Sequence, residues 1–427
     1  MKIQMKPLLF LLPLTVSLLL SACLVPATRI EGEKSEPLAP VAAEGQDGTY
    51  LFLNVERMKE EPPAESRAIV MLSGYYGDND GGGGMFYWDA SRADTPNDGT
   101  VIAPKGYEDK AGRYLRVCEP THLNVKWFGA VGNGSTDDTK AIQRAIDTLP
   151  PTGGEVILPG GSYAVTETLI IGDGDGTTPS TRNGIKLIGT GAQFGHGTKP
   201  ATTLVCLGNF KTMLAINGPI YDCVIQGIKL NVNNHADMGM VITAMSGSVI
   251  DRVQVICQNK IGIVLKAGSG EYGDSHHNVF SQFGCVTNVN DSVMIEIGGN
   301  TDTDGVVRDC VFTDCRFDTG QQDNAVSVHM MRAEGLTFRR CHFNVYRFDT
   351  SLGLLLDGRE NDGYPKSCSY YDCSITRLAI KESENGFIGY HFLLGNGSGD
   401  WETYQPHPKL FGISDKGSII GVNEDLV

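Results

Sequence analysis

The chain has 427 residues, 53 of them glycine, with 50 acidic against 35 basic side chains and a net charge of −15. That length accommodates a large core and more than one domain. The charge argues against nucleic acid and anionic membrane surfaces as partners, but it leaves room for a local basic groove that takes an anionic polysaccharide.

Lys2 and Lys6 precede an apolar run from Pro7 to Leu20. The run is short for a membrane span and sits where an export signal belongs. It ends Leu20-Ser21-Ala22-Cys23, which resembles a bacterial lipobox. The resemblance implies a signal peptide over residues 1–23 and lipidation of Cys23. Leu24, in place of Asp, favours the outer membrane. The expected location is therefore the cell envelope, periplasmic or surface-exposed, with the membrane a partner only through the lipid anchor. Residues 24–48 are rich in Pro, Ala and Glu and read as a tether.

Residues 49–120 read as a small β-rich module. It carries Gly74-Tyr-Tyr-Gly-Asp-Asn-Asp-Gly-Gly-Gly-Gly-Met-Phe-Tyr-Trp-Asp89, then Thr100-Val-Ile-Ala-Pro104 and Gly112-Arg-Tyr-Leu-Arg-Val117. No Lys-Ser or Lys-Thr follows the glycine run and no helix opens there, so it is not a phosphate cradle. Together these pieces resemble a short module placed before the β-helix in phage tailspikes and related bacterial proteins. The implied role is to position or cap a β-helix; glycan binding by its aromatics is the alternative.

Next comes Asn124-Val-Lys-Trp-Phe-Gly-Ala-Val-Gly-Asn-Gly-Ser-Thr-Asp-Asp138, a helical stripe of Ala141, Ile142, Ala145, Ile146 and Leu149, and Gly153-Gly-Glu-Val-Ile-Leu-Pro-Gly-Gly-Ser-Tyr163. Ser135 is expected to cap the helix with Asp138 as its capping-box partner, and Pro150-Pro151 to stop it. This strand–turn–helix–strand order resembles the opening of the pectate-lyase-like right-handed parallel β-helix superfamily. That superfamily includes polygalacturonases, rhamnogalacturonases, polysaccharide lyases, epimerases and phage tailspikes. Its usual Gly-Asp-Gly turn is Gly132-Asn133-Gly134 here. The resemblance implies an all-β right-handed parallel β-helix over residues 121–427, with the helix capping its open end. Tailspike likeness also leaves a homotrimer open.

From Val224 a six-residue strand recurs. The copies begin at Ile225, Ile250, Phe280, Phe312, Phe338 and Tyr370, about 25 to 32 residues apart. Positions four and six are apolar in every copy and point inward by alternation; position one breaks that parity and is expected at a bend. Cys315, Cys341 and Cys373 fall in one inward ladder. They read as small buried hydrophobes, an inter-coil disulfide being the alternative. The outward positions of the late copies place Asp314, Arg316, Asp318, Arg340, His342, Asn344 and Asp372 on one flat sheet. The resemblance puts the chemistry of such proteins on a sheet of this kind. An ion ladder of Asp314, Arg340 and Asp372 on a solvated face is the competing reading.

Insertions between copies are expected to wall a groove. They supply Glu271, Asp274, His276, His277, Asp302 and Asp304 as substrate-binding candidates, beside Asn344 of the sheet. As adjacent strand residues His276 and His277 should face opposite ways, which argues against one shared metal. Asn300–Gly305 begins like a calcium loop, but Val311 stands where the bidentate Glu belongs. No cofactor is required on this reading, with Ca2+ assembled from other loops as the alternative.

Two mechanisms suit such a groove. Hydrolysis needs two carboxyl groups; Asp314 and Asp372, two coils apart, would be about 9.6 Å apart along the stack. A lyase or epimerase needs a cation to neutralise a uronate carboxylate and a base, for which Arg316 or Arg340 and His342 are available. The resemblance covers roughly Asn124 to Ile375 and delivers no catalytic set. The polygalacturonase succession of Asn-Thr-Asp, Asp-Asp, Gly-His-Gly and Arg-Ile-Lys is not found on successive copies. The expected function is a surface-tethered polysaccharide-active enzyme; the alternative is a non-catalytic glycan-binding or structural β-helix.

Overall fold

The structure is a computed structural model that describes residues 49–192, 202–299, 305–347, 350–358 and 364–381. It also describes the backbone of the strands His391–Leu394, Leu410–Ile413 and Ile419–Ile420. Cys23, Asp302, Asp304, most of the calcium-like loop and the Trp401–Tyr404 segment expected to cap the far end lie outside the described residues.

The first module is a five-stranded sheet in the order Thr49–Phe52, Ile69–Leu72, Gly84–Asp89, Arg113–Arg116, Val101–Ile102. Phe52, Phe86, Trp88 and Tyr114 fill one face together with Val55 and Met58 of a short helix. The glycine run leads from the turn after Ile69–Leu72 into its antiparallel partner Gly84–Asp89. Asp80 accepts from the backbone N–H groups of Tyr75, Tyr76, Gly77 and Gly82, which closes the turn. A Cβ on Gly83 would stand 2.5 Å from the Ser73 carbonyl oxygen, so close backbone approach, rather than ligand binding, accounts for glycine there.

The helix of the next segment spans Thr139–Thr148 and buries Ala141, Ile142, Ala145 and Ile146 against the first coils. Its start corrects the expected cap. Ser135 lies in the strand Asn133–Asp137, and Asp138 is the N-cap residue without a side-chain cap bond. The Asp138 carboxylate instead accepts from the N–H groups of Val131 and Gly132 and holds the Gly132–Gly134 turn. Two backbone donors inside the turn compete successfully with the helix end for one carboxylate.

Beyond it the chain winds into parallel coils. An eight-stranded parallel sheet runs from Leu169–Ile171 to Leu378–Lys381 on one side. A short three-stranded sheet of Ser275–His276, Val307–Arg308 and Ala333–Glu334 forms another. The six-residue repeat lies in the largest sheet. Its first position stacks Ile225, Ile250, Phe280, Phe312, Phe338 and Tyr370 in register. Its sixth stacks Leu230, Val255, Cys285, Phe317, Phe343 and Ile375. Ile228, Val253, Phe283, Cys315, Cys341 and Cys373 of position four are all buried.

The bend falls at position three, not position one. Gly227, Arg252, Gln282, Asp314, Arg340 and Asp372 all have positive φ, between 44° and 66°. This left-handed residue turns the strand, which is why positions one and four can both face inward. A second left-handed corner precedes each copy at Asp222, Gly247, His277, Asp309, Gly335 and Ser367.

The ten cysteines of the described residues are free thiols, nine of them buried. Cys315, Cys341 and Cys373 donate to the carbonyls of Phe280, Phe312 and Phe338 on the preceding coil, at 3.4, 3.5 and 3.5 Å. A further inward column, which the periodicity did not reveal, lies two residues before position one. There Cys223 N–H donates to the Ser248 hydroxyl and Ser248 N–H to the Asn278 side-chain oxygen, 2.9 and 3.1 Å.

At position two, Asp251 bridges three coils by accepting from Gln226, Ser281 and its neighbour Arg252. Burial raises its carboxyl, but the bonds from Ser281, Gln226 and Arg252 outweigh burial and hold it below the ordinary value. A depressed folded-state pKa contributes stability above the unfolded value and loses it as pH falls through the folded one. Asp251→Ala is thus expected to cost about 1–2 kcal/mol at pH 7. In paired urea titrations that deficit should shrink towards pH 3.

Candidate functional site

The fifth and following outward positions form a groove along the coils. Lys229, Gln254, Gly284, Arg316, His342 and Ser374 succeed one another in register. Asn231, Ile256, Val286, Asp318 and Asn344 do so two residues on. Over Gln254, Gly284 and Arg316 the surface sinks into a cavity of about 570 Å³, walled by Asn288, Gly320, Gln321 and Tyr346. Gly284 adds no side chain, while Ile256 and Val286 supply an apolar strip beside it.

Asp318 is the carboxylate of this cavity and is only 7% exposed. Arg316 donates to it from the same strand, and Asn344 donates from the next coil at 3.1 Å. Burial lowers the Arg316 pKa, but Asp318 and then the Tyr346 hydroxyl outweigh it and leave the guanidinium above its ordinary value. Of the residues expected to be functional, Arg316 and Asp318 line the cavity and Asn344 supports Asp318.

Asp314, Arg340 and Asp372 sit at the left-handed corner and do not share the flat sheet with Arg316 and Asp318. Arg340 forms a two-pronged bond to Asp314 at 2.7 and 2.8 Å, with both side chains about half exposed. The corner therefore displays the Asp314–Arg340 pair of the expected ladder. His342 follows Arg316 in register, outside the cavity lining.

The loop candidates lie elsewhere. Asp274 is tied to Arg308 at 2.8 Å and accepts from the Val306 N–H, and Glu271 is exposed on the same loop. His276 and His277 do not face apart: their Nδ1 atoms are 2.7 Å from one another. The cause is the positive φ of His277, which breaks strand alternation. Burial, and then His277, lowers the His276 pKa. Among the described residues no group of His, Cys, Asp or Glu is arranged to hold a metal.

Sequence reasoning missed Lys229, Gln254 and Tyr346 in the cavity. It also missed a second outward cluster on the eight-stranded sheet, where Glu296, His329 and Asp357 occupy successive coils. There His329 Nε2 lies 3.2 Å from Asp357 and its Nδ1 3.9 Å from Glu296. Burial raises the Glu296 carboxyl. The strand pattern Val-Met-Ile-Glu-Ile297 carried a signal, a lone acid among aliphatics.

Parallel coils, stacked inward ladders and a polar groove running along them define a pectate-lyase-like parallel β-helix protein. The chain belongs to the rhamnogalacturonase A/epimerase, pectate lyase-like family, whose model matches residues 122–347. Residues 52–119 match the phage tail protein small four-stranded β-sheet domain. The chain is 24% identical over 303 residues to the capsule KN3-specific depolymerase 1 of Klebsiella phage KN3-1, covering 61% of this chain and 37% of that protein. Over 76 residues it is 43% identical to the mannuronan C5-epimerase AlgE1 of Azotobacter vinelandii, covering 18% of this chain and 5% of that enzyme. The chain thus spans well under half the length of either relative.

In structure it resembles the tailspike protein gp49 of Acinetobacter baumannii bacteriophage Fri1, a capsular polysaccharide depolymerase. The TM-score is 0.57 at 14% identity, over 82% of this chain and 60% of that one. It also resembles Pantoea stewartii WceF, a glycan biofilm modifying enzyme with a tailspike-like parallel β-helix fold. Here the TM-score is 0.54 at 13% identity, over 89% and 53%. At these identities the likeness is one of fold.

Proposed function

We propose that this chain is a polysaccharide-active enzyme that lays an extended glycan along its coils, over the groove from Lys229 to Arg316. The observation that carries the reading is the cavity that joins buried Asp318, Arg316 and Tyr346 beside an apolar strip. Its relatives by sequence include a capsule depolymerase and a mannuronan epimerase, which supports a glycan as substrate. The N-terminal residues, through lipidation at Cys23, would hold it at the cell envelope.

The groove favours elimination or epimerisation over hydrolysis. Hydrolysis calls for two flanking carboxyl groups, and Asp318 is the one carboxylate among the described lining residues. Proton abstraction beside a uronate carboxylate calls for a cation and a base. Arg316 can neutralise the substrate carboxylate, and Asp318 or Tyr346 can take the proton.

The test is a panel of capsular and uronate polysaccharides followed for new reducing ends and for the absorbance of unsaturated uronate, with product NMR for epimerisation. Wild type should yield the absorbance or the epimer. Arg316→Ala should reduce turnover about 100-fold or more, the usual effect of removing a charge-stabilising donor. Reducing ends without absorbance would replace this mechanism with hydrolysis, and activity untouched by Arg316→Ala would move the site elsewhere.

A further inference from the structure

We infer that the groove contains a second anion-reading subsite, at Lys229 and Gln254, which takes an acidic sugar at a distance from the residue held by Arg316. The inference rests on the groove being the glycan-binding surface. Its own basis is a pair of side chains that nothing in the described protein satisfies. Lys229 lines the cavity and has no ion-pair partner among the described residues, in contrast to Arg316, which has Asp318. Gln254, next to it in register, is 8% exposed, and its Oε1 has no hydrogen-bond partner.

Burial without a partner is costly for both groups. A buried amide oxygen left without a donor loses the hydration it had in water. A partly buried ammonium is disfavoured too, and burial accordingly lowers the Lys229 pKa. A sugar bearing a carboxylate and a neighbouring hydroxyl satisfies both, the carboxylate at Lys229 and the hydroxyl hydrogen at Gln254. A neutral sugar satisfies only Gln254.

Geometry separates this subsite from the reaction point. Lys229 and Arg316 are three rungs apart, about 14 Å at the spacing of stacked strands. Gln254 and Gly284 lie between them, so the ladder drops at Gly284 and leaves space for sugar rings against Ile256 and Val286. Two cations so spaced select a glycan with acidic residues at more than one position along its length. A chain with a single isolated charge engages only one of them.

The full chain would be titrated calorimetrically with hexamers of mannuronate, guluronate and galacturonate, and with glucuronate-bearing capsule oligosaccharides. Each would be paired with its carboxyl-reduced neutral twin. Lys229→Met should weaken the best acidic oligomer about tenfold or more and leave its neutral twin unchanged. Lys229→Arg should retain most of the affinity, and circular dichroism should show both variants folded. Equal losses on the acidic and neutral ligands would overturn the subsite. So would no loss with Lys229→Met where Arg316→Ala still weakens binding, and in that case the groove reading stands. Indifference of binding to both substitutions, or no binding by any oligomer, would overturn the subsite and the groove together.

Discussion

Phe312→Ala is expected to destabilise the middle coils by about 3–5 kcal/mol. Phe312 is fully buried and sandwiched in the first-position column. Its ring stacks on Phe280 at 4.4 Å and on Phe338 at 4.6 Å, and the column continues to Tyr370 at 5.2 Å. Truncation removes both faces of contact at once. The backbone cannot close the gap, because the rung spacing is set by hydrogen bonds to the coils on either side. Leucine, which refills part of the volume, should recover more than half of the loss.

Coils of a solenoid lean mainly on their neighbours, so the damage should be local at first. Hydrogen exchange should show amides from Val311–Thr313 and Thr337–Arg339 opening before those of the coils nearer the capping helix. The urea midpoint should fall with them. A variant whose exchange is raised evenly along the whole β-helix would show that the column is not the local unit of stability. Arg316 and Asp318 follow Phe312 on the same coil, so ligand binding in the groove should weaken in parallel.

Arg116→Ala should remove a comparable amount, about 3–5 kcal/mol, from the junction of the first module with the β-helix. The Arg116 guanidinium is buried and donates to three backbone carbonyls: Gly99 at 2.9 Å, and Gly83 and Gly82 at 2.8 Å each. It lies over Phe86 of the module on one side and Trp127 on the other. Trp127 in turn packs on the β-helix core. Burial pulls the guanidinium down to about 10, so it remains charged at neutral pH. Alanine would leave three carbonyls without donors in a place water enters poorly, each worth about 1–3 kcal/mol. Lysine offers one compact ammonium and cannot serve three carbonyls in a plane. Trp127 and Trp88 fluorescence should report an early transition in Arg116→Ala and, less markedly, in Arg116→Lys. Fluorescence and circular dichroism that change together, at the wild-type midpoint, would contradict this role.

Much of the architecture is legible in the chain itself. The apolar residues at positions one, four and six recur because each coil must bury a side chain where the neighbouring coil buries one. Phe280, Phe312, Cys341 and Phe343 therefore announce the core by type alone. Cys315, Cys341 and Cys373 are legible as buried thiols for the same reason. The amphipathic stripe from Ala141 to Ile146 likewise identifies a helix with something apolar to cover.

The site is legible only in part. Arg316, Asp318 and Asn344 stand out because an outward ion pair and an amide at the matching position of the next rung are conspicuous. Lys229 and Gln254 do not, since one lysine and one glutamine on early coils look like ordinary solvated residues. Nothing in their spacing shows that they line one cavity with Gly284.

Composition and periodicity determined which side chains form the interior, because burial of apolar surface acts on residue type and alternation, both written in the chain. The sign of a single φ is written there only when glycine occupies the position. Arg252, Gln282, Asp314 and Arg340 take the left-handed corner without advertising it, and His277 does the same at the other corner. Those turns put Asp314 and Arg340 on an edge, bring the His276 and His277 rings into edge-on contact, and leave Arg316 and Asp318 in the groove. Only the stacking of complete coils, each hydrogen-bonded to the next, could decide them.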